Sequence, residues 1–117
     1  MLAHKASQSD PVISGLIDVL DAFRNAHPTM SLSHAILFLL VAHEEGLGVQ
    51  EYTERANLAQ SVATRYLLDM GSHTRKREPG AGLVVQRMDP LDMRKHQTFL
   101  SGEGKALLHK VQRIANR

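Results

Sequence analysis

His43-Glu44-Glu45 is where this sequence comes nearest to metal chemistry. A zinc-binding helix needs a second His four residues after the first, so that both imidazoles share one face, and that second His is missing. His43 reads instead as a residue at a helix C-terminus, where it suits the dipole. His4, His27, His34, His73, His96 and His109 show no ligand spacing with carboxylates either. Cysteine is absent, which excludes disulfides, thiolate zinc sites and cysteine nucleophiles. Ser33-His34 reads as a cap beside a helix residue, and no nucleophile–base–acid set, phosphate-cradling glycine loop or pair of cleft carboxylates is present. The expectation is a protein that is not an enzyme and uses no metal or cofactor.

The charged residues are more informative. Met88-Asp89-Pro90-Leu91-Asp92-Met93-Arg94-Lys95-His96 sets two Asp, a Pro and two adjacent bases between runs of strand formers, LVVQR and HQTFL, the pattern of a hairpin with a charged tip. The net charge of +2 is unevenly spread. Residues 1–58 carry three Lys and Arg against seven Asp and Glu, whereas residues 59–117 carry four Lys and seven Arg against five acids. Such segregation suits a polyanion partner for the second half. Charge alone leaves open the alternative that these bases only solvate a surface.

The elements that must position this tip can be read from local signals. A length of 117 residues fits one domain with one core. The longest apolar run, Ala35 to Ala42, is eight residues, well short of the roughly 20 that span a bilayer. Residues 1–9 lack the hydrophobic stretch of a signal peptide, so a cytoplasmic protein with no membrane partner is expected. Asp10-Pro11 starts a first helix whose apolar face holds Val12, Leu16, Val19, Leu20 and Phe23, with Ile13 and Ile17 at its edges, and which ends near Ala26. Ser31 or Ser33 caps a second helix from Leu32 to about Glu45, closed by Gly46. Its AILFLLVA segment is apolar nearly all round and predicts a helix buried on most sides.

Residues 49–71 hold two short helical patterns either side of Asn57, a residue that tolerates the left-handed turn between them. Val49, Tyr52 and Ala56 mark the inner face of the first; Leu58, Val62, Arg65-Tyr66 and Met70 outline the second. Gln60, Ser61, Thr64 and part of Arg65 fall on its opposite side. Residues 72–82, SHTRKREPGAG, read as an exposed loop, and a last helix begins at Ser101 with Glu103 favourable in its first turn.

A helix-turn-helix followed by a two-stranded hairpin resembles the multiple-antibiotic-resistance-regulator (MarR) family of bacterial transcription factors. DPLDMR matches that family's D-P-x-D-x-R wing tip, and LSGEG its L-T-x-x-G exit into the next helix. QSVATRYLLDM resembles its recognition helix and VQEYTERANL the helix and turn before it. These stretches cover about residues 31–108. The fold implied is mainly α (α+β): a winged helix-turn-helix with a two-stranded β wing, in a single DNA-binding domain over 1–117. The resemblance implies that Gln60, Ser61, Thr64 and Arg65 face the major groove. It implies that Arg94 reaches the minor groove with Asp92 bracing its guanidinium through a fork-like pair, and that Arg87 and Lys95 sit near phosphates.

Physical reasoning supports a groove-reading tip. The planar charge of Arg suits the negative potential of a narrow A·T-rich minor groove, and a rigid hairpin holds the side chain at little entropic cost. Taken alone, Asp92 and Arg94 could merely close a turn; the helix-turn-helix upstream favours the DNA account. The sequence departs from the family pattern in three places. Ala59 stands where Ser usually caps the recognition helix, SHTRKREPGAG intervenes before the wing, and the C-terminal arm is short. Arg75, Lys76 and Arg77 in the inserted loop either add phosphate contacts or belong to a solvated, disordered insertion.

The expected function is a sequence-specific transcriptional regulator, acting as a repressor on double-stranded DNA. A homodimer on a palindromic operator is expected because one small module reads few base pairs. Helices 10–26 and 102–116 are the candidate dimerisation elements, or else simply cover the second helix within one subunit. The alternative is a winged-helix interaction module that binds an acidic protein. The resemblance also allows a small-molecule effector, although two Tyr, three Phe and no Trp offer few residues to line a pocket.

Overall fold

In the computed structural model, which describes residues 9–74 and 76–117, the side chain of Asp10 accepts a hydrogen bond from the Val12 amide at 2.9 Å. Pro11 follows at the first helical position, where its missing N–H leaves no bond unmade. Helix α1 then runs from Pro11 to Ala26. It buries only Ala22 and Phe23 fully, and packs along the last helix.

Helix α2 spans Leu32–His43 and is capped by Ser31. It ends two residues before the expected Glu45, because Glu45 is recruited elsewhere: its Oε2 accepts from the Leu100 amide at 3.0 Å. Gly46 then turns the chain at a φ of +89°, a conformation that suits glycine. Leu37, Phe38 and Val41 are fully buried, and Phe38 meets Phe23 edge to face with centroids 5.6 Å apart. The expectation of burial on most sides is corrected on one flank. Leu32, Ile36 and Leu39 stay exposed at 69%, 50% and 39%. Helix α1 packs along the C-terminal helix and leaves that flank uncovered.

Helices α3 (Val49–Ala56) and α4 (Gln60–Asp69) meet at Asn57, which adopts φ 55° and ψ 47° as the helix-turn-helix reading requires. Tyr52 is the hub beneath them. It is fully buried, its hydroxyl donates to the Glu44 carbonyl at 2.6 Å, and it accepts from the Leu47 amide at 3.2 Å. Burial raises the phenol pKa above its ordinary value, and the nearby carboxylates of Glu44, Glu45 and Glu51 push the same way; the Leu47 hydrogen bond opposes them. The inner face of α4 differs from the expected one. Ala63 and Leu67 are fully buried, Val62 and Tyr66 only half, and Arg65 faces solvent. Neighbouring apolar residues at 62–63 and 67–68 allow either stripe, and packing against α2 selects one.

The segment after α4 is folded back on that helix. The amides of Ala81 and Leu83 donate to the carbonyls of Asp69 and Met70 at 2.8 and 2.7 Å, and the Gly80 amide donates to the Ser72 carbonyl at 3.0 Å. A side chain at Gly80 would stand 2.3 Å from the Gly71 carbonyl oxygen, so only glycine fits there. Strands β1 (Val84–Met88) and β2 (His96–Leu100) pair antiparallel, with Val84 opposite Leu100 and Met88 opposite His96. The other edge of β2 is held by Gly46 and Leu47, through Gly46 N to Thr98 O at 2.8 Å and Thr98 N to Leu47 O at 3.1 Å. The wing is thereby bolted to the end of α2.

The chain leaves the wing through Ser101, which caps helix α5 (Gly102–Ala115) by accepting from Gly104 N at 2.9 Å. The same hydroxyl donates to the Gly82 carbonyl at 2.6 Å. Among the described residues, no helix is long and apolar enough to cross a membrane.

Candidate nucleic-acid interface

Gln60, Ser61, Thr64 and Arg65 are all exposed on α4, whose buried residues are Ala63 and Leu67. The helix begins at Ala59 with no side-chain cap, as the sequence implies. Its orientation is fixed at the other end, where Asp69 Oδ2 lies 3.0 Å from Nε2 of His34. His34 is itself buried, stacked on Tyr66 at a centroid distance of 4.0 Å, and reciprocally hydrogen-bonded to Ser31. Ser31, His34 and Asp69 form a serine–histidine–carboxylate chain, yet the Ser31 hydroxyl also accepts from His34 N at 3.2 Å as the cap of α2. The set is a strut between helices.

The tip of the wing is built from two side-chain-to-backbone turns. Asp89 Oδ1 accepts from Leu91 N at 2.8 Å, and Asp92 Oδ1 accepts from Arg94 N at 3.1 Å. The Asp89 amide donates to the Lys95 carbonyl and the Lys95 amide to the Asp92 carbonyl, both at 2.9 Å. Arg94 projects from this frame with 92% of its side chain exposed. The expected fork-like pair with Asp92 is corrected. Only Nε approaches the carboxylate, at 3.4 Å, and the same oxygen already serves the backbone. Asp92 thus meets the guanidinium through a single oxygen. Both terminal nitrogens of Arg94 are therefore free of Asp92.

The two elements converge. Gln60, Thr64 and Leu68 of α4 border one groove with Gln86, Arg94, Lys95 and His96 of the wing, and α3 closes its end with Gln50 and Glu51. A second concavity on the other flank of α4 is bordered by Arg65 and Asp69 together with Thr74, Lys76 and Glu78 of the following loop. Lys76 therefore borders the same concavity as Arg65 of α4. Arg77 is exposed and takes a left-handed φ of 60°, closing a turn through its amide to the Thr74 carbonyl at 2.9 Å. Arg75 lies outside the described residues.

Arg87 is not part of this convergence. Residues alternate across a strand, and Arg87 shares its face with Val85, Gln97 and Phe99 rather than with Gln86 and His96. Its guanidinium lies over the Phe99 ring, 5.2 Å from the centroid. Sequence reasoning missed Gln86, His96 and Gln50 as groove residues. The alternation along β1 held the signal for Gln86, but its use needs the knowledge of which wing face meets α4. The His34–Asp69 link carried no signal, since 35 residues separate the partners.

No protein-family model matches this sequence, and no curated protein matches it. Solved structures do. A MarR transcriptional regulator from Methanosarcina mazei Go1 superposes with a TM-score of 0.66 at 16% identity, over 91% of this chain and 69% of that one. RV1404 from Mycobacterium tuberculosis gives 0.70 at 10% identity, over 96% of this chain and 69% of its own. The PcaV transcriptional regulator from Streptomyces coelicolor, in complex with its natural ligand, gives 0.56 at 26% identity, over 74% of this chain but 55% of its own length. Among the described residues, five helices and a two-stranded antiparallel wing in this order, matched by these neighbours, give this chain a MarR-like winged-helix fold.

Proposed function

We propose that this protein is a DNA-binding transcriptional regulator whose α4 lies in the major groove while Arg94 reaches the adjoining minor groove. The observation that carries this reading is the shared groove between Gln60 and Thr64 of α4 and Arg94 and Lys95 of the wing. A duplex presents major and minor grooves side by side, and a helix with a β tip on the same side of a protein matches that spacing. Arg65 of α4 and Lys76 of the following loop, which border one concavity, suit the phosphates flanking the major groove. The uncapped first turn of α4 leaves amides suited to a further phosphate.

The regulator works as a homodimer on an inverted repeat and represses by occupying the site. Val12, Ile13, Leu16, Ile17 and Leu20 support the dimer: each is more than half exposed along α1, an apolar stripe that a single chain leaves in water. A two-fold pair would cover it and double the contact with DNA.

Selection of bound duplexes from a random pool, followed by sequencing, tests this directly. An enriched inverted repeat is the expected result. If no duplex is enriched, and nuclease-treated pull-downs recover an acidic protein instead, the interaction-module reading replaces this one.

A further inference from the structure

Leu91 is 96% exposed, the most exposed large apolar side chain among the described residues, and Met93 is 70% exposed beside it. Water should drive such residues to the least exposed positions available, so their place at the summit of the wing needs a reason. The frame that holds them there is well tied. Asp89 and Asp92 each spend a carboxylate oxygen on the backbone of the tip, accepting from Leu91 N and Arg94 N. The cross-tip bonds of Asp89 N and Lys95 N brace it further, and Pro90 narrows the backbone freedom just before Leu91. Leu91 is thus presented on a preorganised support and loses little chain entropy when it is buried by a partner.

Its surroundings indicate the partner. Arg94 and Lys95 flank the apolar pair and border the same groove as α4. Two side chains on a narrow turn cannot supply the surface that a stable protein interface needs, roughly 1,000 Å² or more. A base step needs much less: one apolar side chain entering from the minor groove partly unstacks it. We propose that Leu91, backed by Met93, is a wedge that enters a base step beside the Arg94 contact and bends the bound duplex. The inference rests on the DNA-binding reading and adds to it a deformation and a sequence preference. A wedge favours flexible pyrimidine–purine steps such as TpA and disfavours stiff A-tracts, although both are A·T-rich. The specificity at this position then comes from how easily a step opens, with no hydrogen bond to a base.

The test uses the full chain and the duplexes recovered by selection. 2-Aminopurine is moved step by step through the segment under the wing, and energy transfer between labelled duplex ends reports bending. With the native chain, emission should rise at one step, with a bend in the range of about 20–90° known for such wedges. Leu91→Ala with Met93→Ala should abolish both signals and weaken binding about 10-fold, the scale of one lost base-level contact. Leu91→Phe should retain both signals. Replacing the TpA step by ApA should weaken the native chain and leave the double variant unaffected. A native complex that binds tightly with a straight duplex and flat emission overturns the wedge and leaves the regulator reading standing. Failure of the native chain to select any duplex overturns that reading, and the wedge with it. Both substituted positions are exposed, so circular dichroism should show the variants folded as the native chain is.

Discussion

His34 Nε2 stands 3.0 Å from Asp69 Oδ2, tying the first turn of α2 to the last residue of α4. The imidazole Nδ1 accepts from the Ser31 amide at 3.1 Å, which places the ring proton on Nε2, where it donates to Asp69. His34→Ala removes the cap partner, the strut and the stack on Tyr66 together. The expected loss is about 2–3 kcal/mol, read by urea unfolding, in line with leaving buried polar partners unsatisfied. His34→Gln keeps the reciprocal bond to Ser31 and should recover part of that loss, because Gln is a natural partner at this helix position. Equal losses in the two variants would show that the strut and the stack contribute everything.

Tyr52 sets an alkaline limit on stability. Its neutral phenol donates to the Glu44 carbonyl, and burial disfavours the phenolate. The folded pKa therefore lies above the unfolded value of about 10. The associated stability is complete below that pH and is lost as pH rises from there through the folded pKa. Thermal unfolding between about pH 8 and 11 should show a decline starting near 10. Tyr52→Phe should lower stability by about 1–3 kcal/mol at pH 7 by leaving the Leu47 amide unpaired, and should flatten the alkaline decline.

The LSGEG exit contains two glycines with opposite tolerance. A Cβ at Gly104 would lie 2.1 Å from the Leu83 carbonyl oxygen, whereas one at Gly102 meets nothing within 4 Å. Gly104→Ala must push α5 away from Leu83, and a loss of about 3 kcal/mol or enough to prevent folding is expected. Gly102→Ala should be neutral or stabilising by up to about 1 kcal/mol. Denaturant midpoints of the two variants provide the comparison.

The bases should separate by face. Removing Arg65 or Lys76 should reduce the slope of log affinity against log salt by about 0.9 each, the value for one phosphate contact. Arg94→Ala should also lower affinity. Arg87→Ala, on the far face of the wing, should leave the salt slope unchanged while losing about 0.5 kcal/mol of stability with its contact to Phe99. A reduced slope for Arg87→Ala would mean that both wing faces meet the duplex.

The exposed stripe of α1 predicts a change of assembly. Leu16→Glu with Ile17→Glu should convert a dimer into a folded monomer by sedimentation, since neither residue belongs to the core of the single chain. Operator affinity should fall steeply as the second half-site is lost. A native chain that sediments as a monomer at micromolar concentration would refute the dimer.

Features decided by neighbours along the chain were legible in the sequence. Asp10-Pro11 opens α1, Asn57 takes the left-handed turn between α3 and α4, and Ser101 caps α5. Strand β2 coincides with the HQTFL run, and β1 takes the last four residues of LVVQR and extends to Met88. Caps, turns and alternation act within four residues or fewer, so their residue types record them. Tertiary contacts decided the rest. Which face of the wing meets α4 separates Arg94 and Gln86 from Arg87, and only the pairing of β2 with Gly46 and Leu47 settles it. The folding of residues 80–83 back on the end of α4 and the exposed flank of α2 likewise depend on what packs there. The His34–Asp69 strut joins residues 35 positions apart, a distance at which composition and periodicity carry no record of contact, because packing of the whole core brings them together.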